Sequence, residues 1–125
     1  MRRSRTLVAL GFATLVAGCA SLPPSKPIEG AASLAGTWRG RMSGPLGTAP
    51  LILTIHGDGA YLGVLYVEPA YREVRGVISV VRPGFARYES TDGNGRVSLY
   101  EDEGRRVLRL VGDGGGRAAE LTPAK

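Results

Sequence analysis

Residues 51–67, LILTIHGDGAYLGVLYV, decide the fold, because they contain two apolar runs joined by a short glycine-rich link. The runs are rich in Leu, Ile, Val and Tyr and have the length typical of strands rather than helices. The link His56-Gly57-Asp58-Gly59 contains glycines that tolerate the positive φ angles of tight turns. The stretch therefore predicts a β-hairpin.

The same alternation of short apolar runs and glycine-containing links continues along the chain. Links such as Asp92-Gly93-Asn94-Gly95 and Asp102-Glu103-Gly104 are too short for crossovers, and glycines interrupt every helical window. The sequence predicts an all-β, up-and-down antiparallel meander of about eight strands. Such a meander hides its edges best by closing into a small barrel, and an open or sandwiched sheet is the alternative. The strands are expected at about 37–42, 50–56, 60–67, 73–81, 84–90, 96–101, 105–111 and 117–122.

The first nineteen residues have the order of charge, apolar run and small residues that is typical of an export signal. Arg2, Arg3 and Arg5 precede an apolar stretch, 7–17, that is too short to span a bilayer as a helix. The stretch ends in Val16-Ala17-Gly18-Cys19, which resembles a bacterial lipoprotein lipobox. We expect residues 1–18 to be removed as a signal peptide and Cys19 to be lipidated.

The segment from Cys19 to Ser33 contains several prolines and no apolar periodicity, so it is expected to be an extended tether between the anchor and one domain, residues 34–125. Removing residues 1–18 discards three arginines and leaves thirteen basic against eleven acidic residues. This near balance argues against nucleic acid as a partner. Because Cys19 is the only cysteine, the domain has no disulfide to stabilise it.

The segment Leu34-Ala35-Gly36-Thr37-Trp38 resembles the opening of the first strand in lipocalin-like and streptavidin-like barrels. Small bacterial lipoproteins of unassigned function are similar, with a lipobox, a proline-containing tether, this Gly-Thr-Trp opening and a glycine-punctuated meander. The resemblance implies that Trp38 fills one end of a barrel, and it implies that the barrel binds a ligand. The chain does not contain the polar residues with which streptavidin contacts biotin.

Candidate catalytic and metal-binding residues are few. His56 is the only histidine, and none of the serines has the context of a nucleophile, so we expect no enzymatic activity. One histidine and one lipidated cysteine are too few for a zinc site. The segment Asp92-Gly93-Asn94-Gly95-Arg96 begins like a calcium loop, but an arginine stands where an oxygen ligand is needed. The sequence predicts no metal and no cofactor.

The three runs within residues 50–81 are apolar on both faces, so the face that points away from the core must be shielded from water by something else. Either the tether or a terminus packs there, or that surface meets a ligand or partner.

Taken together, the sequence predicts a lipid-anchored, non-enzymatic binding or structural module that binds a small apolar ligand or an envelope protein. Because Ala20 follows Cys19, we expect it on the outer membrane of a Gram-negative bacterium, facing the periplasm. The alternative is a periplasmic inhibitor of a lysozyme or protease.

Overall fold

The computed structural model describes residues 25–124 and consists of nine strands and one short 3-10 helix. The strands are β1 Ser25–Lys26, β2 Gly36–Gly44, β3 Gly47–Ile55, β4 Ala60–Val67, β5 Ala70–Arg82, β6 Phe85–Ser90, β7 Gly93–Asp102, β8 Arg105–Gly112 and β9 Ala118–Pro123, and the helix is Ala31–Leu34. Strands β2 to β9 correspond to the eight expected runs, and most begin or end a few residues beyond the expected limits.

The sheet closes into a barrel. Each strand from β2 to β9 pairs antiparallel with the next, and β9 returns to pair with β2 through the register from Trp38↔Pro123 to Ser43↔Ala118. The up-and-down barrel is confirmed, and the alternative of an open or sandwiched sheet is wrong. Closure removes the free edges that a meander of this length would otherwise expose.

The turns use the residues that the sequence indicated. In the β3–β4 turn Gly59 has φ +97°, and the β7–β8 turn combines Glu103 at φ +53° with Gly104 at φ +79°. A non-glycine residue at positive φ is uncommon and marks a tight two-residue link. These turns keep consecutive strands adjacent, which is the local cause of the meander.

One end of the barrel is filled by large apolar side chains. Trp38 is 2% exposed, and its indole Nε1 donates a hydrogen bond of 2.8 Å to the carbonyl oxygen of Leu34. The Arg106 guanidinium lies 5.2 Å from the Trp38 ring centre and donates to the carbonyl oxygen of Ser33 at 2.6 Å. We call this the closed end. Its core also contains Ile28, Ile55, Ile78, Val97, Leu99, Leu108 and Leu121.

The segment before β2 is part of the folded body from Ser25 onward, whereas the sequence predicted a tether as far as Ser33. Ser25 and Lys26 pair with Tyr100 and Leu99 of β7, and Ile28 is buried in the closed end. The physical reason is that β7 extends past the start of β6 here, so its edge is available for pairing. Within the expected tether, only residues 19–24 lie outside the described residues.

We predict that Trp38→Ala lowers the free energy of unfolding by about 3–5 kcal/mol, because it leaves a large void at the closed end and removes the donor to Leu34. Urea unfolding followed by circular dichroism measures the change. The matched control is Tyr71→Ala on the outer surface, where Tyr71 is 72% exposed and the cost should be below about 0.5 kcal/mol. Equal effects of the two substitutions would contradict the role given to Trp38.

Candidate functional site

A cavity of about 880 Å³ occupies the end of the barrel opposite Trp38. Its opening, which we call the mouth, is surrounded by the β2–β3, β4–β5, β6–β7 and β8–β9 connections. The volume falls within the range of small-molecule binding sites in proteins. The barrel is therefore solid at one end and hollow at the other.

Most of the cavity is lined by apolar side chains that alternate with outward-facing ones along their strands. This alternation is visible in β3, where Leu51 and Leu53 are buried and the intervening Ile52 is 39% exposed. The large apolar residues lie mainly on β2 to β5 and form what we call the apolar wall. Its members are Met42, Leu51, Leu53, Leu65 and Val74.

Two tyrosines form part of the remaining lining, and each lies over a glycine of the next strand. Tyr61 is paired in register with Gly76, and Tyr88 is paired with Gly95. A Cβ atom added to Gly76 would come within 2.5 Å of the Tyr61 hydroxyl oxygen, and one added to Gly95 would come within 2.5 Å of the Tyr88 ring. The two glycines therefore make room for the two rings.

The two phenols and their neighbours on β6 and β7 form what we call the polar wall, with members Tyr61, Tyr88, Ser90 and Asn94. Burial raises the pKa of Tyr61 to about 12, and the adjacent Ser90 hydroxyl lowers it by less. Burial also raises the pKa of Tyr88, and the nearby Asp113 carboxylate adds to the shift. Both phenols therefore stay protonated at neutral pH.

The charged groups at the mouth are balanced by ion pairs. Arg72 Nη2 lies 3.3 Å from Asp92 Oδ2, and Arg87 pairs with Asp113. Glu68 and Arg117 also line the cavity, whereas Arg87 lies outside the lining and contributes through its pair with Asp113. Counted with Arg87, the three basic and three acidic groups at the mouth balance.

The outer surface beside the mouth is apolar on one side. Leu46, at the tip of the β2–β3 hairpin, is fully exposed, and Val67 and Tyr71 of the β4–β5 hairpin are 46% and 72% exposed. The rings of Tyr66 and Tyr71 contact each other with centres 4.9 Å apart. Among the described residues, neither the segment before β2 nor the C-terminal residues cover this face.

The structure separates the residues that the sequence singled out. His56 is exposed in the β3–β4 turn at the closed end, where its backbone N–H donates to the carbonyl oxygen of Ala60 at 2.8 Å. Asp58 Oδ1 accepts a hydrogen bond from the backbone N–H of Ala60, which is a turn contact. Trp38 lies in the core of the same end, and Cys19 lies outside the described residues.

Residues 25–124 contain neither a cluster of metal ligands nor a membrane-spanning helix. No cluster of three or more His, Cys, Asp or Glu side chains in this range could hold a metal ion. No helix in this range is long and apolar enough to cross a membrane. The segment Asp92–Arg96 forms the β6–β7 turn and the start of β7, where Asp92 is engaged with Arg72.

The cavity residues Tyr61, Tyr88, Gly76 and Gly95 were not predicted as a site from the sequence. In each pair a tyrosine lies opposite a glycine of the neighbouring strand. Such a pair can be recognised only when the pairing register of the two strands is known. The two-sided apolar pattern of residues 50–81 did indicate the region, since its inner face forms the apolar wall.

No protein-family model, curated protein or solved structure matches this chain.

We predict that the stability of the protein falls between about pH 10 and pH 12 and that Tyr61→Phe removes part of this fall. The Tyr61 pKa is about 12 in the folded state against 10.0 for an ordinary tyrosine, so the unfolded chain ionises first as the pH rises. The stability contribution is complete below pH 10 and is lost as the pH rises toward 12. Melting temperatures from pH 8 to 12 measure it, with exposed Tyr71→Phe as the control. Parallel curves for wild type and Tyr61→Phe would contradict this prediction.

Proposed function

We propose that this chain is a lipid-anchored envelope protein whose barrel binds a small apolar molecule and catalyses no reaction. The cavity of about 880 Å³ with its apolar wall is the observation that carries the proposal. A barrel that served only as a scaffold would gain stability by filling this space, because protein interiors are normally close-packed. An open, mainly apolar cavity with a few polar groups is instead the usual form of a ligand site.

The anchor is supported by the sequence of residues 1–19 and agrees with the position of Ser25. Ser25 pairs with Tyr100 near the closed end, so the chain leaves the barrel on the side away from the mouth. Five residues lie between Cys19 and Ser25, and the six Cα–Cα steps that join the two reach at most about 20 Å. A bilayer anchor at Cys19 would hold the closed end near the membrane and leave the mouth open to the periplasm.

We predict that Cys19→Ala abolishes incorporation of labelled palmitate and leaves a protein that is either uncleaved or free of the membrane fraction. Each buried methylene of an acyl chain contributes about 0.8 kcal/mol, so a diacylated cysteine accounts for stable attachment. Fractionation after a high-salt wash measures the attachment, and Ser21→Ala is the control. A wild-type chain that takes up no label would contradict the lipoprotein assignment.

We predict that the purified domain binds the neutral fluorescent probe N-phenyl-1-naphthylamine with one site per chain. Ala49 lines the cavity, so Ala49→Phe fills part of it and should weaken binding by about tenfold or more. Ala70→Phe makes the same change at an exposed position outside the cavity and should change the Kd less than about twofold. Circular dichroism and melting temperature check that both variants fold.

Two results would contradict the binding proposal. One is a wild-type domain that does not bind the probe, and the other is equal binding by Ala49→Phe and Ala70→Phe. The alternative, a hydrolase inhibitor, is favoured by the fully exposed Leu46 at the mouth. Inhibition of a lysozyme or protease that Leu46→Ser abolishes and Ala49→Phe preserves would support that alternative, because an inhibitor needs the hairpin and not the cavity.

A further inference from the structure

The polar wall restricts what the cavity can bind, provided that the cavity is a ligand site as proposed above. Its hydroxyl groups line the β6–β7 side, and the apolar wall faces them across the cavity. A pure hydrocarbon would press methylene groups against these hydroxyls and deprive them of water. A ligand with one polar atom on an otherwise apolar surface matches both walls.

The other two hydroxyl groups of the polar wall are less available to a ligand than that of Tyr88. Ser90 Oγ donates a 2.7 Å hydrogen bond to the carbonyl oxygen of Gly93 and accepts a 3.1 Å bond from the backbone N–H of Asp92. Tyr61 is 5% exposed, and its phenol lies beside Ser90, whose hydroxyl lowers the Tyr61 pKa. The Ser90 hydroxyl therefore has no free donor for a ligand, and Tyr61 is the more deeply buried of the two phenols.

Tyr88 differs from both. It is only half-buried, and its hydroxyl has no hydrogen-bond partner among residues 25–124. Its ring lies over Gly95, and its hydroxyl reaches toward Gly112, where an added Cβ atom would be 3.6 Å from the oxygen. Both neighbours are glycines, so no side chain at these two positions separates the Tyr88 hydroxyl from the cavity.

The charge balance of the mouth favours a neutral ligand over one with an ionised head group. Arg72 and Arg87 are each paired with an aspartate, and the other cation beside the polar wall is the exposed Arg117. A ligand carboxylate would have to displace Asp92 or Asp113 or rely on the exposed Arg117. Exposed pairs of this kind contribute little to binding. A neutral oxygen needs none of these changes.

We propose that the cavity takes a neutral, largely apolar molecule that carries a carbonyl or ether oxygen, and that the Tyr88 hydroxyl donates a hydrogen bond to this oxygen. Tyr88 is then a specificity-determining residue of the site. The apolar wall supplies the general affinity, and Tyr88 distinguishes ligands that have the oxygen from those that lack it.

The test compares three naphthalenes that displace N-phenyl-1-naphthylamine from the purified domain. 2-Acetylnaphthalene carries a neutral carbonyl, 2-isopropenylnaphthalene replaces that oxygen with a CH₂ group of similar shape, and 2-naphthoate carries a negative charge. Kd values are measured for the wild type, for Tyr88→Phe and for Tyr71→Phe. The last variant removes a hydroxyl from the outer surface and is the matched control.

We expect Tyr88→Phe to raise the Kd of the ketone by about three- to tenfold and that of the alkene by less than twofold. Tyr71→Phe should change neither, and 2-naphthoate should bind the wild type more weakly than the ketone does. Equal effects of Tyr88→Phe on ketone and alkene would overturn the role of Tyr88, and tighter binding of 2-naphthoate would overturn the preference for a neutral ligand. If the probe binds the wild type but the results for the three naphthalenes differ from those expected, the proposed binding of an apolar molecule stands and only the proposed ligand class is wrong. If the probe does not bind, both proposals fail.

Discussion

The pairing of β2 with β9 is the constraint on which the rest of the structure depends. It joins residues about eighty positions apart, from Trp38↔Pro123 to Ser43↔Ala118, and turns a meander into a closed wall. Gly40 is required at this seam, because a Cβ atom there would overlap the backbone carbonyl of Glu120. Without this close approach β2 and β9 would both be edge strands, and the barrel would have no separate inside.

Closure of eight strands leaves an interior just wide enough for side chains, so residue size along each strand decides which part is filled. Toward the closed end the inward positions hold large residues such as Trp38 and Leu108. Toward the mouth they include Ala49, Gly112 and Ala119, and the tyrosines lie along the wall over glycines instead of crossing the barrel. The same strands therefore build a solid core and a cavity.

The sequence was sufficient for the eight barrel strands because their signals are local. Glycine links such as Asp102-Glu103-Gly104 and the alternation within each strand act over a few residues. The cavity was not predictable in this way, since the contact between Tyr61 and Gly76 depends on a register set by the whole closed sheet. Ile28 and β1 were missed for a related reason: one buried residue and a two-residue strand create no periodic pattern.

The two ends of the barrel are expected to differ in how they tolerate substitution. At the closed end Trp38 donates a hydrogen bond to Leu34 and lies against Arg106 in a cation–π contact, so a change in Trp38 removes contacts of the other two. At the mouth the apolar wall already borders empty space, and a change of side-chain size there alters the cavity more than the core. Stability and the shape of the cavity are thus set by different residues of the same strands, as Trp38 and Met42 in β2 illustrate. Substitutions near Tyr88 can therefore change the cavity while the closed end keeps the barrel folded.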